Sequence, residues 1–169
     1  MTVSCIHRLQ RFLQKANPLP IPAAGFLLGL ILWILLASAD SVTELIPLPP
    51  RRAFAAAVSC ELPIVGAIAL AGLTRLPQLP GIPLFIRSLG WGYGSLQMYA
   101  SMGSSFHYFQ YVLGNGFTIL PLCYLVKTAT ECAKGSEPLH GLRLYDYLCR
   151  CLFYCGLVLL TLPLKLYGG

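Results

Sequence analysis

A single carboxylate, Glu61, lies near the middle of an apolar stretch at 53–73 that is long enough to cross a membrane. An ionised side chain at the centre of a bilayer costs at least ~2.5–3.5 kcal/mol, so such an acid usually has a partner or a task. Pro63 lacks an N–H and crowds the preceding turn, which predicts a kink beside the carboxylate. Glu61 is therefore a candidate for a proton path or an ion site. The alternative is a protonated structural acid that donates to a carbonyl freed by Pro63.

Two further ionisable residues in apolar segments are candidates for the same proton path. Arg87 is a candidate partner for Glu61, although the predicted topology puts it a turn or more away in depth. The alternative for Arg87 is an ordinary interfacial residue whose charged end reaches water. His107 precedes an aromatic segment and is the third candidate. Its alternatives are an interfacial histidine and a haem ligand, and bis-histidine ligation of a haem would need a second histidine at that depth.

Asp146 and Arg150 are four residues apart, the spacing that brings two side chains together on one helix face. They are predicted to form an interfacial ion pair that anchors the last span. No metal site is expected, because none of the three histidines is spaced with the seven cysteines as zinc ligands would be. The cysteines are expected to be free and buried.

The composition is that of a membrane protein with several passes. Of the 169 residues 56% are hydrophobic and only 11% are charged, and the mean hydropathy is +0.69. Soluble domains carry about 25% charged residues. The net charge of +6 does not indicate nucleic-acid binding, because the cations lie between the apolar runs, where they set topology. No cofactor is expected, although kinked helices with a basic face make cardiolipin a candidate ligand.

The apolar runs predict an all-α fold, a polytopic transmembrane bundle of about five spans after a short amphipathic helix. The basic amphipathic segment occupies residues 1–20, and residues 21–169 form a single bundle. Small residues in the third span predict that it packs centrally, with little lipid contact. The spans are expected at about 22–39, 53–73, 84–102, 106–126 and 145–164.

The positive charges favour one orientation for this bundle. Of the 12 lysines and arginines, nine fall on the N-terminal side of the predicted topology and three on the other side. The N-terminus is therefore expected on the positive side of the membrane, the cytosol or the mitochondrial matrix.

Two stretches resemble a subunit of a mitochondrial respiratory complex. Leu144-Tyr145-Asp146-Tyr147 at the entry to the last span resembles the start of the last helix of NADH dehydrogenase subunit 6. The stretch 111–131, with glycines at 114 and 116, is similar to the third helix of that family. This resemblance implies a membrane subunit of the respiratory chain that is non-catalytic or lines a proton path.

A third stretch resembles another energy-transducing protein. Residues 84–94, LFIRSLGWGYG, resemble the helix of ATP synthase subunit a that carries the essential arginine beside the rotor ring. In that interpretation Arg87 would separate two proton half-channels and Glu61 would line one of them.

The sequence thus favours a subunit of a multi-subunit complex of the mitochondrial inner membrane. Its partners would be other membrane subunits and lipid, not nucleic acid, and the chemistry would be done elsewhere in the complex. One alternative is a small transporter or channel that uses Glu61 as its coupling site, because a broken helix with an acid at mid-depth is typical of transporters. Another is an endomembrane scaffold or a subunit of a lipid enzyme, which its localisation would distinguish.

Overall fold

The computed structural model describes residues 18–36, 50–101, 105–135 and 142–166, and all the secondary structure within them is helical. The amphipathic helix predicted in residues 1–20 falls outside these ranges except for 18–20. The five helices of the described ranges are α1 Pro20–Leu36, α2 Pro50–Gly72, α3 Gly81–Ser101, α4 Ser105–Lys134 and α5 Leu142–Leu166.

The all-α prediction is confirmed, and three of the helices are long and apolar enough to cross a membrane. The qualifying segments are Phe54–Gly72, Tyr108–Lys134 and Arg143–Pro163. Helix α1 is apolar but has only 17 residues, and α3 is long enough but not sufficiently apolar. The chain is therefore compatible with an integral membrane protein, and its five passes stay a prediction.

Helix α4 is longer than the sequence indicated. The expected span ended at residue 126, whereas the helix continues to Lys134. The extra turns contain polar residues such as Thr128 and Glu131, which end an apolar run but do not end a helix. Hydropathy therefore underestimated the length of α4, because a helix can extend beyond the apolar layer.

Helices α1 and α3 run parallel and approach so closely that glycine is required at their contact. A Cβ atom on Gly25 would lie 2.7 Å from the carbonyl oxygen of Phe85. A Cβ on Gly29 would collide with the Leu89 carbonyl, and one on Gly92 with the Phe26 carbonyl. Glycine lets two helix backbones meet at this distance, as is common at helix contacts in membranes. This contact holds α1 on α3.

The apolar core lies between α2, α4 and α5. Ile68 of α2 and Leu122 and Leu125 of α4 are fully buried there, and Val158 of α5 is almost so. At one end of this core, the hydroxyl of Tyr147 of α5 donates to the carbonyl of Ala69 of α2 at 2.6 Å and connects these two helices. This core stabilises α2 and α4 and so fixes the positions from which the polar side chains of the candidate site project.

Candidate functional site

A buried polar cluster joins α2, α3 and α4 near the middle of the molecule. Arg87 donates from Nε to Glu61 Oε1 at 2.8 Å and from Nη2 to the same oxygen at 2.6 Å. Its Nη2 also donates to Asn115 Oδ1 at 2.5 Å. We call these three residues the Glu61 cluster. It brings together two of the three side chains proposed from the sequence for a proton path.

Glu61 and Arg87 are in contact although the sequence placed them a turn or more apart in depth. Glu61 lies 11 residues before the end of α2 at Gly72, and Arg87 lies six residues after the start of α3 at Gly81. At 1.5 Å per residue, this difference of five residues is about 7.5 Å along the helices. The extended arginine side chain is of comparable length, so Arg87 can reach back to Glu61.

The cluster is shielded from solvent, and its members differ in exposure. The side chain of Glu61 is 3% exposed and that of Arg87 is 14% exposed. A pair of opposite charges in a low-dielectric interior attracts strongly, but that attraction has to offset the cost of removing both charges from water. The additional bond to Asn115 gives the guanidinium a second acceptor and lowers that cost.

Asn115 is held in place by its own helix. Its Nδ2 donates to the carbonyl oxygen of Tyr111, one turn earlier in α4, at 2.9 Å. This bond leaves Oδ1 as the atom that faces Arg87, which fits the observed contact. The amide therefore acts as a positioned acceptor on α4, and it extends the link between α2 and α3 to a third helix.

Asn115 was not among the site residues expected from the sequence. Its position could have identified it. A side-chain amide between two glycines within an apolar run is costly to place inside a membrane unless it has a hydrogen-bond partner. The residue type alone did not reveal which cation it would contact. That depended on how α4 packs against α3.

The other residues predicted for the site lie outside the Glu61 cluster. His107 lies in the first turn of α4, and its side chain is outside the described residues. Arg150 contacts Asp146 at 3.0 Å at the start of α5, and both side chains are more than half exposed. Within the described ranges no group of three or more His, Cys, Asp or Glu residues is placed to hold a metal ion.

The chemistry available to the Glu61 cluster follows from its arginine. The guanidinium of Arg87 has a positive charge and only N–H donors, so it meets Glu61 as a hydrogen-bond acceptor. Glu61 in this arrangement is the acceptor of an ion pair, and its acceptor oxygen Oε1 is engaged by two donors. The arrangement is better suited to holding three helices together than to exchanging protons freely.

No family model, curated protein or solved structure matches the chain.

Proposed function

We propose that this chain is a non-catalytic membrane subunit of a multi-subunit complex, in which the Glu61 cluster locks α2, α3 and α4 together. The observation that supports the proposal is the ion pair itself. Glu61 is the one buried carboxylate in the described part of the chain, and it is engaged by Arg87. Its charge helps to hold the helices of the bundle together. Catalysis would then be carried out by other subunits.

The surroundings of the cluster support a structural role. Breaking a buried ion pair by removing one partner typically costs about 3–5 kcal/mol, whereas replacing both residues by well-packed apolar ones of similar volume is often neutral. A buried pair, in which either charge is costly when left alone, can therefore specify which helices meet and in which register. Here it joins α3, the helix least suited to lipid, to two helices apolar enough to cross a membrane.

The resemblances to NADH dehydrogenase subunit 6 and to ATP synthase subunit a specify the complex within this proposal. Both point to a proton-translocating assembly of the mitochondrial inner membrane, with the N-terminus on the matrix side. The partners would then be the neighbouring membrane subunits and the surrounding lipid.

The first test is whether the chain belongs to a large assembly. Native membranes that contain a tagged full-length chain would be solubilised in mild detergent and separated on a blue-native gel. We expect the chain to migrate in a complex far heavier than its 18.4 kDa, with the same proteins identified by mass spectrometry in each preparation. Migration as a free monomer would contradict the proposal.

A second test separates a lock from a proton path. In the double variant Glu61→Gln/Arg87→Gln the charges are removed together, and both side chains can still form hydrogen bonds. We expect this variant to assemble to the wild-type level and the complex to retain proton translocation. Normal assembly with lost translocation would instead assign the pair to a proton path or to a transporter's coupling site.

A further inference from the structure

A cleft of about 210 Å³ opens between the end of α4 and the start of α5. On α4 it is lined by Thr128, Glu131 and Cys132, and on α5 by Arg143, Asp146 and Arg150. We call it the α4–α5 cleft. Its lining combines two guanidinium groups with two carboxylates, so its formal charge is balanced and both signs are available within one small volume.

The cleft lies at the level where α2 ends. Tyr147, which forms part of its wall, donates to the carbonyl of Ala69, and Ala129 of α4 packs beside Gly72, the last residue of α2. The exposed Arg75 follows that helix end. If α2 crosses a bilayer, the α4–α5 cleft therefore lies at the depth of the lipid headgroups.

The ion pair in the wall of the cleft is accessible to a ligand. The side chains of Asp146 and Arg150 are 62% and 56% exposed, and exposed ion pairs of this kind contribute little stability. A phosphate group is a better partner for arginine, because it accepts two parallel N–H bonds and carries more charge. The carboxylates of Glu131 and Asp146 are matched acceptors for an ammonium group.

The surface just below the cleft is apolar. Tyr124 lies one turn before Thr128 on α4, and Phe153 lies almost one turn after Arg150 on α5. Both rings are exposed, and Tyr124 stacks on Tyr154 at a centroid distance of 6.2 Å. A charged cleft above an exposed aromatic surface has the polarity profile of a phospholipid, with its headgroup in the cleft and its acyl chains along the rings.

We propose that the α4–α5 cleft binds the headgroup of a zwitterionic phospholipid that carries a phosphate and a primary ammonium. The phosphate lies against Arg143 and Arg150, and the ammonium lies against Glu131 and Asp146. A doubly anionic lipid such as cardiolipin fits less well, because its second phosphate would lie beside a carboxylate. This inference rests on the membrane location in the proposed function but not on membership of a complex.

Native mass spectrometry of the purified full-length chain tests the proposal. The chain would be offered phosphatidylethanolamine, phosphatidylcholine and phosphatidylglycerol in separate detergent samples. We expect phosphatidylethanolamine to be retained about tenfold better than the other two, because only its headgroup can bond to both arginines and carboxylates. Equal retention of the three lipids would overturn the proposal.

Two double variants divide the site by charge. Arg143→Gln/Arg150→Gln is expected to lose retention of phosphatidylethanolamine, and Glu131→Gln/Asp146→Asn to lose the preference over phosphatidylglycerol. The matched control is Arg75→Gln, an exposed arginine at the same end of the bundle that lies outside the cleft. Size-exclusion profiles would show that each variant is folded. Retention by the double arginine variant equal to that of the control would overturn the proposal.

A competition arm distinguishes a lipid from a soluble molecule with the same headgroup. Glycerophosphoethanolamine has the phosphate and the ammonium but no acyl chains. We expect it to compete far more weakly than the lipid, since it lacks contact with Tyr124 and Phe153. Equal affinity would assign the site to a soluble zwitterion and overturn the lipid as its ligand.

Discussion

Two ion pairs of the same chemistry occupy opposite environments in this molecule. Arg87 and Glu61 connect two helices through side chains that are 14% and 3% exposed, whereas Arg150 and Asp146 lie on one helix with more than half of each side chain exposed. In both pairs a guanidinium meets a carboxylate at hydrogen-bond distance. The difference shows that the surroundings of an ion pair, and not its residue types, decide how much it contributes to stability.

The physical reason is the dielectric response of the surroundings. Water around Asp146 and Arg150 screens their attraction and solvates either charge when the other is removed. Around Glu61, the bundle offers no such solvation, so a charge left alone there is costly. Removing one member of the buried pair is therefore expected to destabilise the bundle strongly, and removing one member of the exposed pair to change its stability very little.

The largest expected effect comes from making the same substitution in each pair. Arg87→Gln leaves Glu61 buried without its cation, and we expect a loss of about 3–5 kcal/mol in the free energy of unfolding. Arg150→Gln is the matched control and is expected to change stability by no more than about 0.5 kcal/mol. Unfolding by SDS in mixed micelles measures both. Equal losses in the two variants would contradict the comparison.

A smaller effect is expected when the third member of the Glu61 cluster is removed. Asn115→Ala takes one acceptor from Arg87 and leaves the ion pair in place, so we expect a loss of about 1–3 kcal/mol. The control is Thr128→Ala, which removes only an exposed bond from the hydroxyl to the carbonyl of Tyr124 at 3.0 Å. The same unfolding assay applies. An effect of Asn115→Ala no larger than that of the control would mean that the amide contributes nothing to the lock.

The smallest expected effect is the coupling within the exposed pair. A double-mutant cycle with Asp146→Asn and Arg150→Gln should give a coupling energy of about 0.3–0.5 kcal/mol, the usual value for pairs four residues apart on a helix. We expect this coupling to vanish in about 1 M salt, where the Debye length is about 3 Å. A coupling that survives high salt would show that the pair is shielded, and the contrast with Glu61 and Arg87 would disappear.

The comparison also explains how much of the site could be predicted. Asp146 and Arg150 could be paired from their spacing, because neighbours four apart on a helix meet whatever the rest of the chain does. Glu61 and Arg87 are separated by 26 positions, and their contact depends on helix tilt, on the connecting turn and on the reach of the arginine. Both residues could therefore be named as candidates from the sequence, but whether the arginine side chain bridges the difference in depth could not be predicted.

Which helices pack against each other could also be predicted only in part. The glycines at 25, 29 and 92 were visible in the sequence, and small residues in the third span predicted a close approach of helices. That α1 would meet α3, rather than its neighbour in the chain, was decided by the fit of their two surfaces. A glycine permits close contact with any partner and does not specify one.

By itself, the sequence determined the helical character of the chain, the positions of its apolar segments and the single acid within one of them. These properties depend on residues close together along the chain, through hydropathy and helix geometry. Only the tertiary structure decided that Arg87 and Asn115 complete the site and that α1 rests on α3. Contacts between residues far apart in the chain depend on how whole helices pack, and local hydropathy does not predict that packing.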